Sequence, residues 1–130
     1  MKVRIYYHDT DCGGVVYYAN YLKYLEEARS EYLEARGLIV KELLAQGIGF
    51  VVARQEIDYK SPAFYGDTLE IRTRVTEAGL TRVDFEYDIV NQDQKLISKA
   101  KTVLVFVDKT LKPKRIPEEV LKRITEGAES

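Results

Sequence analysis

The chain has 130 residues, which suits one domain and leaves little room for a second. Its 20 Lys and Arg residues against 21 Asp and Glu residues give a net charge of −1, which excludes the basic surface typical of nucleic-acid-binding proteins. Apolar residues make up 45% of the chain and there is one cysteine, so a disordered chain and a disulfide framework are also excluded. No apolar run is long enough to cross a bilayer. We therefore expect one domain over residues 1–130, in a cytoplasmic protein without stable membrane insertion.

The first part of the chain predicts a short strand, a polar loop and two helices. Apolar residues alternate with polar ones over residues 2–8, which predicts the strand. The polar, glycine-ended loop of residues 8–14 follows. A stripe of apolar residues at helical spacing then predicts a long helix from about residue 18 or 20 to residue 36: Tyr21, Leu25, Ala28 and Tyr32. A shorter helix is predicted near residues 39–46.

Beyond Gly47 the apolar period changes to two, which predicts four strands over residues 51–60, 69–76, 82–89 and 95–107. Their alternation and their short connections favour an antiparallel meander with one solvated face. Residues 102–107 are apolar on both faces, so we expect cover on both sides of the last strand. A final helix is predicted to begin at Pro117. The fold class is therefore α+β, a long helix wrapped by a five-stranded antiparallel sheet. The other face of the sheet and its edges then need cover, which predicts oligomerisation.

The loop of residues 8–14 is the one place where reactive side chains cluster, and it lies just before the long helix. A carboxylate beside the N–H groups of a helix N-terminus suffices for acyl transfer. Simpler interpretations stay open, since an aspartate here can be a loop residue, and Cys12 and His8 can be a packed thiol and a hydrogen-bonded imidazole. A metal site of His8, Asp9, Asp11 and Cys12 is a further alternative, which no second histidine supports.

A longer string carries a family resemblance. Residues 7–21, Tyr-His-Asp-Thr-Asp-Cys-Gly-Gly-Val-Val-Tyr-Tyr-Ala-Asn-Tyr, and residues 24–29, Tyr-Leu-Glu-Glu-Ala-Arg, closely resemble the opening of the YbgC-type acyl-CoA thioesterases. These belong to the 4-hydroxybenzoyl-CoA thioesterase family of hotdog-fold proteins. The resemblance continues through residues 58–63, 66–67 and 105–108, and so covers nearly the whole chain. The family's fold, a long helix wrapped by an antiparallel sheet, agrees with the periodicity.

The resemblance implies hydrolysis of an acyl-CoA to a free acid and coenzyme A, with no cofactor and no metal. Asp11 matches the family's catalytic carboxylate, a nucleophile or a general base. The backbone N–H of Tyr18 matches the donor that polarises the thioester carbonyl. Tyr18 stands where YbgC-type proteins usually have histidine, so a backbone role is retained at this position and an imidazole role is not.

The resemblance also implies a substrate site shared between subunits of a homo-oligomer, a dimer of dimers. Val16 and Tyr17 are its implied substrate contacts, and Lys60 and Arg82 are candidates to hold the phosphates of coenzyme A. A surface cation is also simply a solvated charge, and that alternative stays open for both. The rival function is a non-catalytic module on the same fold that binds an acyl-CoA or an acyl carrier.

Overall fold

The computed structural model describes residues 1–11 and 13–126. The described part of the chain contains five strands and three helices, which we number in chain order: β1 (Lys2–Arg4), α1 (Tyr18–Glu34), α2 (Val40–Ala45), β2 (Gly49–Tyr59), β3 (Thr68–Ala78), β4 (Arg82–Val90), β5 (Leu96–Val107) and α3 (Glu118–Thr125). No helix in residues 1–11 or 13–126 is long and apolar enough to cross a membrane.

The strands form one antiparallel sheet in the order β1-β3-β4-β5-β2. The predicted meander is therefore correct for β3, β4 and β5 but wrong for β2, which pairs with β5. Its register runs from Gly49 opposite Val107 to Tyr59 opposite Ser98. Residues 60–67, between β2 and β3, form a long connection and not a hairpin turn. This connection joins β2, at one edge of the sheet, to β3, on the other side of β4 and β5. At its start the N–H groups of Lys60 and Ser61 still donate to the carbonyl oxygen of Ile97 in β5.

The first strand is shorter than predicted, because the chain leaves the sheet after Arg4. Residues Tyr7–Asp9 form a 3-10 turn. The buried carboxylate of Asp9 accepts a hydrogen bond from the backbone N–H of Tyr6, 2.9 Å away, which closes that turn. Ile5 and Tyr7 therefore do not share a strand face, although their alternation predicted that they would. Ile5 is buried before the turn, and Tyr7 is exposed within it.

Helix α1 packs its apolar stripe against one face of the sheet. Tyr21, Leu25, Ala28 and Tyr32 are all buried, as the helical spacing predicts. The inward side chains of β4 are buried as well, and the Phe85 ring meets the Tyr32 ring edge to face at 5.5 Å. Each fully buried large side chain contributes roughly 1.5–3 kcal/mol of transfer free energy, so this layer dominates the stability. The α+β hotdog architecture is confirmed.

Residues 102–107 of β5 are buried except Val105, which is half-buried. The expected cover on both sides is thus supplied largely within the chain. After the turn that follows β5 the chain doubles back beside the strand, with Pro113 bridged to Val107 and the Lys114 N–H donating to Phe106. The long strand at an edge of the sheet is β2, which pairs with β5 alone in the described part of the chain.

Candidate active site

The chain reverses direction in a tight hairpin between Thr10 and Val16, which delivers the motif loop to the start of α1. Thr10 is bridged to Val16, and the N–H of Asp11 donates to the carbonyl oxygen of Val15 at 2.9 Å. The turn is completed by the N–H of Gly14, which donates to the Asp11 carbonyl oxygen at 3.0 Å. Gly14 has a φ of 76°, a conformation that L side chains rarely adopt. The glycine-ended loop is thus a hairpin turn whose first residue is Asp11.

The Asp11 side chain is exposed and folds over the turn. Its Oδ1 accepts a hydrogen bond from the N–H of Gly13 at 2.9 Å, an Asx-turn contact that orients the carboxylate. A Cβ at position 13 would lie 3.3 Å from that same Oδ1 atom. Glycine at this position therefore allows the carboxylate to approach the backbone. The result is an oriented, solvent-facing carboxylate in the hairpin that leads into α1.

Helix α1 begins without a side-chain cap. Tyr17 is the N-cap residue and makes no side-chain capping hydrogen bond, while its own N–H donates to the Asp9 carbonyl oxygen at 3.0 Å. The first N–H groups of a helix have no partner within the helix, and the helix dipole adds partial positive charge there. The N–H of Tyr18 is the first of these donors within α1. An uncapped helix N-terminus next to a carboxylate can stabilise an oxyanion.

Beside this helix start lies a cleft of about 200 Å³, lined by Val15, Val16, Tyr18, Tyr21, Tyr59, Lys60, Ser61 and Pro62. Three of the residues that the family resemblance implied are therefore brought together: Val16, Tyr18 and Lys60. The ring of Tyr18 lies 4.8 Å from that of Tyr59, so the end of β2 forms one wall of the cleft and the start of α1 forms another. Tyr17 is exposed and does not line the cleft.

Two tyrosines of this cleft, Tyr21 and Tyr59, are held in their neutral form. Burial raises the pKa of Tyr21 to about 12, with further increases from the neighbouring Tyr59 and Tyr18 hydroxyls. Burial and the Tyr18 hydroxyl also raise the pKa of Tyr59. A phenol with so high a pKa stays protonated at neutral pH and is therefore not available as a base. These two phenols can therefore donate or accept hydrogen bonds but do not supply a base. Asp11, the candidate base, is not among the residues that line the cleft and lies in the hairpin that leads into α1.

Arg82 lies away from this cleft within the same chain. It is opposite Val105 at one end of the sheet, whereas Tyr59 and Ile89 flank Ser98 at the other end. The seven residue-to-residue steps from Arg82 to Ile89 span about 23 Å of strand. Its guanidinium is bound to the Asp84 carboxylate through Nε at 2.8 Å and Nη2 at 2.9 Å. The structure thus brings Lys60 to the site but not the Arg82 of the same chain.

The other reactive residues of the loop are placed less favourably or lie outside the described residues. The His8 side chain is 77% exposed, with Nε2 lying 3.5 Å from Oδ1 of Asp9. Cys12 belongs to the undescribed part of the chain, so the interpretation of its thiol as packed or reactive stays a prediction. Among the residues that the structure describes, no group of three or more His, Cys, Asp or Glu side chains could hold a metal ion.

Sequence reasoning missed several residues that shape this site. Tyr21 was assigned to the core from its spacing, and it is indeed buried, but it also lines the cleft. Tyr59 and Ser61 follow from the end of β2, whose crossing to the far edge no local pattern reveals. Asn20 could have been singled out from the sequence, because asparagine is a poor helix former and yet lies within the first turn of α1.

Comparison with known proteins agrees with this geometry. The family model of the thioesterase-like superfamily matches residues 5–124. The acyl-CoA thioester hydrolase YbgC of Escherichia coli O157:H7 is 38% identical over 120 residues, covering 92% of this chain and 90% of the relative. The acyl-CoA thioesterase YbgC of Haemophilus influenzae is 40% identical over 120 residues, covering 91% of this chain and 88% of the relative.

Solved structures give the same result. A hypothetical protein from Aquifex aeolicus superposes with a TM-score of 0.90 at 30% identity, covering 96% of this chain and 98% of that one. A 1,4-dihydroxy-2-naphthoyl-CoA thioesterase from Synechocystis superposes with a TM-score of 0.88 at 26% identity, covering 95% and 93%. Fold and family together define a thioester-hydrolysing enzyme. The chain belongs to the thioesterase-like superfamily, and the resemblance to its YbgC-type members is confirmed.

Proposed function

We propose that the protein hydrolyses an acyl-CoA to a free acid and coenzyme A, and that Asp11 is the catalytic carboxylate. The observation that carries this proposal is the Asp11 carboxylate, oriented by the Gly13 N–H in the hairpin that leads into the uncapped start of α1. A carboxylate supplies the nucleophile or base of acyl transfer, and a helix N-terminus supplies the electrostatic stabilisation. The relatives named as acyl-CoA thioesterases support the choice of substrate class.

In the proposed reaction the thioester carbonyl oxygen accepts a hydrogen bond from the Tyr18 N–H. The Asp11 carboxylate either attacks the carbonyl carbon or removes a proton from the water molecule that attacks it. In both routes the C–S bond breaks and coenzyme A leaves as a thiolate that takes up a proton. If Asp11 is the nucleophile, the acyl group remains on its carboxylate as a mixed anhydride, which water hydrolyses at the acyl carbon to release the free acid and regenerate Asp11. If Asp11 is the base, the attacking water supplies the hydroxyl oxygen of the acid directly, and the proton taken up by Asp11 passes to the thiolate. The partial positive charge of the α1 N-terminus stabilises the oxyanion that forms on the carbonyl oxygen.

The remaining implied contacts follow from the same proposal. Val16, which lines the cleft, and the exposed Tyr17, which precedes the carbonyl donor, contact the substrate, and Lys60 at the cleft attracts a phosphate of coenzyme A. Arg82 serves the same ligand only from a second copy of the chain, since it lies at the far end of β4. The reaction would take place in the cytoplasm.

A homo-oligomer, a dimer of dimers, is part of this proposal. Strand β2 is the long edge of the sheet, and Val51 and Val52 on it are 40% and 49% exposed. An edge strand with exposed β-branched residues is a template for pairing with another strand. A second copy that pairs along β2 would cover these residues and extend the sheet.

The second candidate function is a non-catalytic module that binds an acyl-CoA or an acyl carrier. The specific observation that favours it is Tyr18, which replaces the histidine usual in YbgC-type proteins. The same cleft would then hold the thioester without cleaving it. Binding of an acyl-CoA without release of thiol would distinguish this candidate from the enzyme.

One assay distinguishes the thioesterase from the binding module. The full chain is incubated with a panel of acyl-CoA thioesters, short-chain, long-chain and aromatic, and free thiol is detected with a thiol-reactive dye. We expect thiol release above background for at least one member of the panel. No release from any thioester, together with measurable binding by calorimetry, would contradict the enzyme and favour the binding module.

A further inference from the structure

A buried carboxylate and an amide connect the hairpin that carries Asp11 to the first turn of α1. Asp9 is 6% exposed and precedes the hairpin, whereas Asn20 is the third residue of the helix. The Asn20 side-chain Nδ2 donates to the carbonyl oxygen of Asp9 at 3.1 Å and lies 3.4 Å from its Oδ1. One amide group thus contacts both the backbone and the side chain of Asp9.

The same carbonyl oxygen of Asp9 also accepts the N–H of Tyr17, at 3.0 Å. The carboxylate's other oxygen, Oδ2, accepts the N–H of Tyr6 at 2.9 Å. Asp9 is therefore held from the preceding turn and from the helix start together. The Asp9 charge also acts on the neighbouring Tyr24. The burial of the Tyr24 phenol, and next the negative charge of Asp9, raise the pKa of that phenol.

We propose that Asp9 and Asn20 are positioning residues, which fix the distance between the Asp11 carboxylate and the N–H groups at the start of α1. The inference rests on the proposed function and deepens it. Asp11 lies two residues after Asp9, and Tyr18 lies two residues before Asn20, so the Asp9–Asn20 contact spans the two groups that must act on one carbonyl. Neither positioning side chain needs to touch the substrate.

The alternative is that the contact only stabilises the fold. Loss of a buried hydrogen bond would then lower the stability and leave kcat of the folded enzyme unchanged. A positioning role makes a different demand, because misplacing a catalytic group by about 1 Å can cost on the order of a hundredfold in rate. The two roles are separated by kcat of the folded enzyme and by its dependence on Asp11.

The test is a double-mutant cycle between Asn20→Ala and Asp11→Asn, with thiol release as the readout and the folded fraction checked by circular dichroism. We expect Asn20→Ala to lower kcat roughly ten- to hundredfold with KM little changed. In the Asp11→Asn background the same change is expected to cost almost nothing further, because the carboxylate that it positions is already gone. Asn91→Ala is the matched control, since the Asn91 side chain also makes hydrogen bonds with the backbone, but as an acceptor in the turn between β4 and β5.

If Asn20→Ala does not fold, Asn20→Gln takes its place, because it keeps an amide and shifts it by one methylene group; the same drop in kcat is expected. A folded Asn20 variant with wild-type kcat would overturn the positioning role alone, provided that Asp11→Asn is slow. An equal fall of kcat in both backgrounds would also overturn it. A wild-type enzyme that releases no thiol, or an Asp11→Asn variant that is fully active, would overturn the proposed catalytic role and the positioning role with it.

Discussion

Arg82 and Asp84 form a two-point ion pair in which an exposed guanidinium covers a fully buried carboxylate. The two hydrogen bonds measure 2.8 and 2.9 Å, and the Lys101 Nζ lies 3.4 Å from the same carboxylate. Alternation along β4 predicts a solvent-facing Asp84, yet the residue is 0% exposed. The hydrogen bonds from Arg82 hold the pKa of Asp84 below its usual range. Arg82 therefore stabilises the buried Asp84 carboxylate, independently of any contact with a phosphate.

Replacing Arg82 tests both its effect on Asp84 and any contact with a phosphate. Arg82→Ala leaves the buried Asp84 carboxylate with Lys101 as its remaining cation, so we expect a lower midpoint of urea unfolding. If Arg82 also holds a phosphate of coenzyme A, KM for an acyl-CoA should rise about fivefold or more with kcat nearly constant. KM for the matching acyl-pantetheine thioester, which lacks the nucleotide phosphates, should not change.

The control for this variant is Arg54→Ala, which removes an exposed arginine paired with the exposed Glu56. Exposed ion pairs contribute little to stability, so this variant should unfold close to the wild-type midpoint. An unchanged KM for acyl-CoA in Arg82→Ala would limit Arg82 to its contact with Asp84.

Acid should weaken the fold partly through Asp84. A carboxyl group whose pKa is lowered on folding stabilises the protein above its unfolded pKa, near 3.9, and this contribution is lost as pH falls through the folded pKa. The difference in unfolding free energy between the wild type and Asp84→Asn should therefore be complete above about pH 4 and shrink below it. Urea unfolding across this pH range measures the difference. Asp93→Asn, in the turn between β4 and β5, is the control, and a difference independent of pH would contradict the expectation.

Strand β2 should hold copies of the chain together. Light scattering at micromolar concentration is expected to give a multiple of the 15.0 kDa chain mass. Val52→Lys places a charge on the exposed part of the β2 edge and should shift the population towards smaller species. Leu111→Lys, at a residue 73% exposed in the turn after β5, should leave the mass unchanged. A monomeric wild type would contradict the oligomer and any Arg82 contact from a second copy.

The sequence predicted the parts of the fold that depend on local periodicity. The stripe from Tyr21 to Tyr32 defines the buried face of α1, and the alternation in β4 defines the inward side chains. The partner of β2 was not predictable, because alternation identifies a strand but not the strand beside it. The end of β1 was missed for a similar reason, since the Asp9 carboxylate captures the Tyr6 N–H and ends the extended chain.

The sequence indicated the two segments of the candidate site that are close together along the chain, the loop with Asp11 and the helix start with Tyr18. The aromatic wall at Tyr59 was not predictable, because it depends on where the distant end of β2 meets α1. The same holds for the separation of Arg82 from the cleft. Sequence spacing gives each residue's neighbours along its own element, whereas the pairing of elements decides which residues face one site.

The other reactive side chains of the loop should be dispensable. Cys12→Ala and His8→Asn are each expected to keep most of the thioesterase activity, and iodoacetamide and EDTA should inhibit little. The physical reason is that a carboxylate beside an uncapped helix start needs no thiol, imidazole or metal to act on a thioester. Initial rates at saturating substrate measure these effects. A Cys12→Ala variant without activity would favour a thiol nucleophile.

The most direct test of the proposed mechanism is kcat of Asp11→Asn beside that of Asp108→Asn. Asp108 is the matched control, because its Oδ1 accepts the N–H two residues ahead at 2.8 Å in the same kind of Asx turn, near the opposite end of β2. We expect both variants to fold, Asp11→Asn to lose roughly a hundredfold or more in kcat, and Asp108→Asn to keep the wild-type value. Wild-type kcat in a folded Asp11→Asn enzyme would contradict the assignment of Asp11 as the catalytic carboxylate.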